Sequence, residues 1–125
     1  MILPKFKEPI AYFDCDDTLV SWGFVVDYPR EDKMEFKDPS DGSSLYLKVI
    51  QEHVEALKLH KLRGHTVIVW SAGRADWAQE VVTKLGLNSH VDAVMSKPNW
   101  FYDDIPASEF MPEINRKDLR SKNEK

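Results

Sequence analysis

Ile10-Ala11-Tyr12-Phe13-Asp14-Cys15-Asp16-Asp17-Thr18-Leu19 is the stretch from which the rest of the chain is read. A short apolar run reads as a buried strand, and it stops at acids. Three carboxylates follow within four residues, closed by Thr18. Open α/β sheets place ligands at the carboxyl ends of their strands. Crowded carboxylates repel one another, so the cluster calls for a cation. A compact, oxygen-only donor set suits Mg²⁺, which keeps several waters and takes one or two carboxylates plus a phosphate.

Outward from this stretch, residues 9–14 are expected to form the first and central strand. Residues 20–43 alternate β-prone and polar segments around a strong turn signal, Asp38-Pro39-Ser40-Asp41-Gly42. They read as one or two β-hairpins beside the acidic turn. From about Leu45 to Arg63 the pattern turns helical, with Leu47, Ile50, Val54 and Leu57 in one stripe and Gly64 as the stop. Thr66-Val67-Ile68-Val69-Trp70 is a continuous apolar strand ending at Ser71-Ala72-Gly73-Arg74. A second helix over about Ala75 to Leu85 buries Trp77, Val81 and Leu85, and Gly86 ends it. Val91–Met95 gives a third strand followed by Ser96-Lys97-Pro98. Trp100-Phe101-Tyr102 gives a fourth, ending in Asp103-Asp104, and residues 105–112 a short helical turn. The order predicts an α/β fold with a mostly parallel sheet flanked by helices, a β-hairpin flap over about 20–44, and a charged tail over about 114–125.

The chain of 125 residues fits a single domain, and its 42% apolar and 30% charged residues are an ordinary globular balance. A net charge of -4 and a pI near 5.5 argue against a protein that coats nucleic acid. Cys15 is the sole cysteine, so no internal disulfide forms. The start, Met1 to Lys7, lacks the apolar core of a signal peptide, and no run approaches membrane-spanning length. The expectation is a cytoplasmic protein with no membrane partner.

The chemistry-bearing residues fall at predicted strand tips: Asp14 and Asp16, then Ser71, then Lys97, then Asp103 and Asp104. In that order and spacing they resemble the four motifs of the haloacid dehalogenase (HAD) superfamily of phosphatases: Asp-x-Asp-x-Thr, a Ser or Thr, a Lys, and an acidic pair. The resemblance covers roughly residues 9–110. It implies a Rossmann-like HAD core and a Mg²⁺-dependent phosphomonoester hydrolase. Asp14 would be the nucleophile that forms an aspartyl-phosphate and Asp16 the general acid/base. Asp14, Asp16 through its backbone carbonyl, and Asp103 would hold Mg²⁺, with Asp104 in support. Ser71 would bind phosphoryl oxygens, Lys97 offset their charge, and Thr18 steady the turn.

Two departures stand out. Asp17 occupies a position where many relatives carry Gly, and only five residues separate Lys97 from Asp103 where many relatives place a helix. Neither gap between motifs leaves room for a large cap domain, so the resemblance is to a small, capless type. Arg74 is a candidate phosphate contact. Trp22 is either a core residue or a stacking surface, Cys15 is expected to be a buried inert thiol, and the four histidines are expected to be solvated. The partner implied is a phosphorylated substrate, either a small molecule or a nucleic-acid end. Ser71-Ala72-Gly73-Arg74 is similar to a stretch in polynucleotide 3′-phosphatases, which leaves a polynucleotide 3′-phosphatase or a nucleotidase as alternatives. A non-catalytic phosphoacceptor resembling a receiver domain is a further one. It would need an acceptor Asp where the strand after the long helix ends in Ser71.

Overall fold

The computed structural model describes residues 9–72 and 74–112. Its strands are β1 (Ile10–Asp14), β2 (Val20–Val26), β3 (Met34–Lys37), β4 (Ser44–Val49), β5 (Thr66–Ser71) and β6 (Ala93–Ser96). Two helices, α1 (Gln51–Leu62) and α2 (Ala75–Lys84), precede and follow β5. Single 3₁₀ turns cover Asn88–His90 and Ala107–Glu109, the second within the short helical turn expected there.

The strands form two sheets. One is parallel with the order β1-β5-β6, and the other antiparallel with the order β2-β4-β3. The fold is therefore α/β, with a three-stranded parallel sheet, a separate antiparallel sheet and two helices. In the parallel sheet Asp14 lies opposite Trp70, and Ser71 opposite Ser96. The register brings the carboxyl ends of all three strands to one level. No helix among the described residues is long and apolar enough to cross a membrane.

The expectation of a central first strand is corrected. Among the described residues β1 pairs only with β5. Ile10 and Tyr12 are 38% and 39% exposed, whereas Val67 and Val69 of β5 are wholly buried. The apolar run of β5 suits the central strand because both of its faces are covered. On β1 the same composition leaves one side wet.

The start of the first helix is corrected as well. Leu45, Leu47 and Val49 alternate with Tyr46 and Lys48, and residues 44–49 pair with both β3 and β2. Leu47 sits at the same position in a period-two and a helical pattern, so the helical stripe extended backward through a strand. Its side chain is fully buried in either account. The flap is consequently a three-stranded sheet that includes β4, rather than hairpins ending near residue 44.

Trp100-Phe101-Tyr102 forms no strand, and Trp100 and Tyr102 are 81% and 98% exposed. A parallel neighbour needs a crossover of about a dozen residues. Here Trp100 follows the end of β6 after only Lys97, Pro98 and Asn99. Aromatic β propensity cannot compensate for the missing connection. The charged tail over 114–125 lies outside the described residues.

The core joins both sheets through the helices. Leu19 and Val20 from the acidic turn, Phe36 and Leu47 from the flap, Leu57 from α1 and Val81 from α2 form one buried cluster with Val67 and Val69. Gly64 and Gly86 end the helices with φ of 83° and 69°, a left-handed conformation that costs glycine little. The flap sheet is pinned to α2 by the Phe36 ring, 6.0 Å from that of Trp77, and by the Lys37 amide, which donates to Glu80 at 2.7 Å.

Candidate active site at the strand tips

The acidic turn is a tight backbone coil around one carbonyl. The Cys15 carbonyl accepts the amides of Thr18, Leu19 and Val20 at 3.1, 2.9 and 3.2 Å, and the Asp17 amide donates to the Val20 carbonyl. Closing it puts Asp17 at φ 60°. That conformation favours glycine, and Asp is among the few other residues that tolerate it. The Asp17 carboxylate turns back to accept the Trp22 amide at 3.0 Å, fixing the entry into β2.

Side chains alternate through the turn. Cys15 points into the core and is wholly buried, while the Asp14 and Asp16 carboxylates reach the other side. Burial pushes the Cys15 thiol up to about 12, and the neighbouring Asp16 and Asp14 charges add to the effect. The thiol stays protonated, so it is no nucleophile, as its place in the sequence leads one to expect.

Asp14 lies at the tip of β1, where the Thr18 hydroxyl donates to its Oδ2 at 3.2 Å. Lys97, just beyond β6, brings its Nζ to 3.2 Å from Asp14 Oδ1. The lysine passes over the end of β5. Its amide donates to the Ser71 carbonyl at 2.8 Å, and its Nζ lies 5.9 Å from the centre of the Trp70 ring. Ser71 occupies the tip of the central strand between them and is 2% exposed.

Asp16 is held differently. Its Oδ1 accepts two indole N–H groups, Trp22 Nε1 at 2.8 Å and Trp77 Nε1 at 2.7 Å. Trp22 is half-buried against the core and also uses its polar edge. Trp77 packs in the core as its helical spacing predicts, 4% exposed, and also uses its polar edge. Arg74 is engaged by Asp38 at 2.9 Å and Asp76 at 3.4 Å, which ties the flap turn to the start of α2. The Ser40 hydroxyl and amide and the Arg74 guanidinium hold Asp38 down to about 2. The first amide of α2, from Ala75, donates to Ser96 Oγ at 3.1 Å.

Asp103 and Asp104 are exposed, and the Asp103 carboxylate accepts the Ile105 amide at 3.3 Å. No three His, Cys, Asp or Glu side chains gather for a metal among the described residues. The structure therefore brings Asp14, Asp16, Thr18, Ser71 and Lys97 to one edge and leaves Asp103 and Asp104 on the segment beyond it.

The expectation of solvated histidines fails for His53, and His60 and His65 are half-buried against each other. His53 is 7% exposed, and its Nδ1 donates to the Thr18 carbonyl at 2.7 Å. His60 and His65 face each other with Nδ1 atoms 3.0 Å apart, and His60 sets its edge against Phe13. Burial, and then the neighbouring His65, lower the His60 pKa. The signal for His53 lay in its spacing, three residues after Ile50 and four before Leu57, on the apolar stripe.

Compared with protein-family models, curated proteins and solved structures, the chain matches none.

Proposed function

We propose that this chain is a phosphomonoester hydrolase of the capless haloacid dehalogenase type, working in the cytoplasm through an aspartyl-phosphate on Asp14. The observation that carries the reading is the 3.2 Å approach of Lys97 Nζ to Asp14 Oδ1. Two motif residues far apart in sequence meet at the strand tips, where an anionic nucleophile must approach an anionic phosphoryl group. A lysine at that point offsets both charges, and phosphoryl transfer depends chiefly on positioning and charge stabilisation. The finer description of the parallel sheet as a Rossmann-like HAD core belongs to the same proposal.

In the first step an Asp14 carboxylate oxygen bonds to phosphorus as the bond to the leaving oxygen breaks. That oxygen keeps the electron pair and takes the proton from Asp16, giving the alcohol and an aspartyl-phosphate. In the second step Asp16 removes a proton from water, whose oxygen bonds to phosphorus. The bond to Asp14 breaks, which releases phosphate and restores the Asp14 carboxylate and the Asp16 acid. Thr18 and Lys97 orient Asp14, and His53 holds the turn from behind through the Thr18 carbonyl.

The donors of the turn are all oxygen, and Asp14 carries only a lysine and a hydroxyl as side-chain partners among the described residues. Both features fit a hard cation that retains waters. Asp14 and the Asp16 backbone carbonyl would hold Mg²⁺ together with waters; Asp103 and Asp104, the further carboxylates that the resemblance implies, lie on the segment beyond the strand tips and are not gathered with them. When bound, the ion supplies positive charge to the phosphoryl oxygens.

The test is hydrolysis of p-nitrophenyl phosphate with and without Mg²⁺, wild type beside Asp14→Asn. Turnover that needs both the ion and Asp14 is expected, with the variant folded. An Asp14→Asn enzyme as active as wild type would remove the nucleophile and the reading with it.

A further inference from the structure

Trp22 and Trp77 come from different parts of the fold, β2 of the flap and α2 beside the parallel sheet, yet both aim their indole N–H at one oxygen, Asp16 Oδ1. Their rings lie 5.8 Å apart at 52°, and Phe36 packs edge-on against Trp77. A carboxylate oxygen offers about two lone-pair sites. Two donors at 2.7 and 2.8 Å occupy both on Oδ1, and among the described residues Oδ2 is the oxygen left over. An indole N–H only donates, so neither tryptophan can take the Asp16 proton or pass it on.

We infer that Trp22 and Trp77 are positioning residues that clamp Asp16 by Oδ1, so that Oδ2 is the atom that gives its proton to the leaving oxygen and later accepts one from water. This deepens the phosphatase reading and rests on it. It also links the flap to the chemistry. Trp22 belongs to β2 of the flap sheet, and that sheet packs on α2 through the Phe36 and Trp77 rings.

The test compares two substrates whose leaving groups differ in their need for a proton. p-Nitrophenolate leaves largely unaided, whereas the alkoxide from benzyl phosphate needs the acid. Trp22→Phe and Trp77→Phe keep a ring and remove the N–H. The ratio of kcat/KM for benzyl phosphate to that for p-nitrophenyl phosphate is expected to fall about tenfold in each. Because kcat/KM reports the steps up to the first irreversible one, water attack on the phosphoenzyme does not mask the effect. A ratio equal to that of wild type, including a uniform loss on both substrates, would assign the tryptophans a merely structural role and overturn the inference. Trp22→Phe carries the test alone if the core variant fails to fold.

A second readout needs no turnover. The chain has four tryptophans, hence four indole N–H resonances in a ¹⁵N-labelled sample. Asp16→Asn is expected to shift those of Trp22 and Trp77 and to leave Trp70 and Trp100 in place. If neither clamp resonance moves, or only one, the clamp is refuted even in an active enzyme. A wild type inactive on both substrates, with both resonances shifting, would instead overturn the phosphatase reading and the proton-transfer role while the clamp stands.

Discussion

A thiol reagent added to the folded protein at about pH 8 should leave Cys15 nearly untouched. The side chain has no exposed surface, and its pKa is pushed from 9.0 up to about 12. At that pH a free thiol is about one-tenth thiolate and the buried one about one ten-thousandth, because the thiolate fraction falls tenfold for every pH unit below the pKa. The scarcity of thiolate alone therefore slows the reaction about a thousandfold. Ellman's reagent reports it directly, since Cys15 is the sole cysteine, and urea should restore the ordinary rate. The raised pKa also predicts a stability profile. A group whose pKa is raised on folding contributes fully below its unfolded value of 9.0 and loses that contribution as pH rises toward about 12. The slope approaches about 1.4 kcal/mol per pH unit, and Cys15→Ala should lack it. Free reaction of Cys15 in a protein with native circular dichroism would refute the reasoning. Because side chains alternate, an outward Cys15 would turn Asp14 and Asp16 into the core and dismantle the candidate site.

Three further outcomes follow from the same contacts. His53→Leu keeps the volume but strips the Thr18 carbonyl of its donor, so it should cost about 1–3 kcal/mol in urea unfolding; a neutral result would mean that His53 does not hold the turn. At Asp17, with φ 60°, glycine should be within about 1 kcal/mol of wild type, because relief of about 1–2 kcal/mol of strain offsets the lost bond to Trp22. Asp17→Val should be clearly less stable than Asp17→Gly, and the reverse order would contradict the left-handed turn. Asp38 is depressed to about 2 by Ser40 and Arg74, so its contribution is present above the unfolded value of 3.8 and fades as pH falls toward about 2. Asp38→Asn should remove that acid-side loss from the unfolding midpoint, and identical profiles for variant and wild type would exclude the Arg74–Asp38 link.

Sequence alone determined what is local. The apolar runs of β1 and β5, the stripe of α2, the glycines that stop both helices and the turn at 38–42 announce themselves through neighbours a few residues away. So does the placement of Asp14, Ser71 and Lys97 at strand ends, because a run of core residues that stops at a polar group marks its own tip. Tertiary structure decided the choices between partners. Whether β1 or β5 is central depends on which strand gains two neighbours, and both runs are equally apolar. Residues 44–49 became a strand because β2 and β3 flank them, although Leu47 also fitted a helix. Trp100–Tyr102 has strand-forming residues but no connection long enough to reach a parallel neighbour. The donors on Asp16 come from residues 22 and 77, and the donor on the Thr18 carbonyl from residue 53. Periodicity identified Trp77 as buried without saying where its N–H points, because a hydrogen bond across the fold leaves no mark on the spacing of either partner.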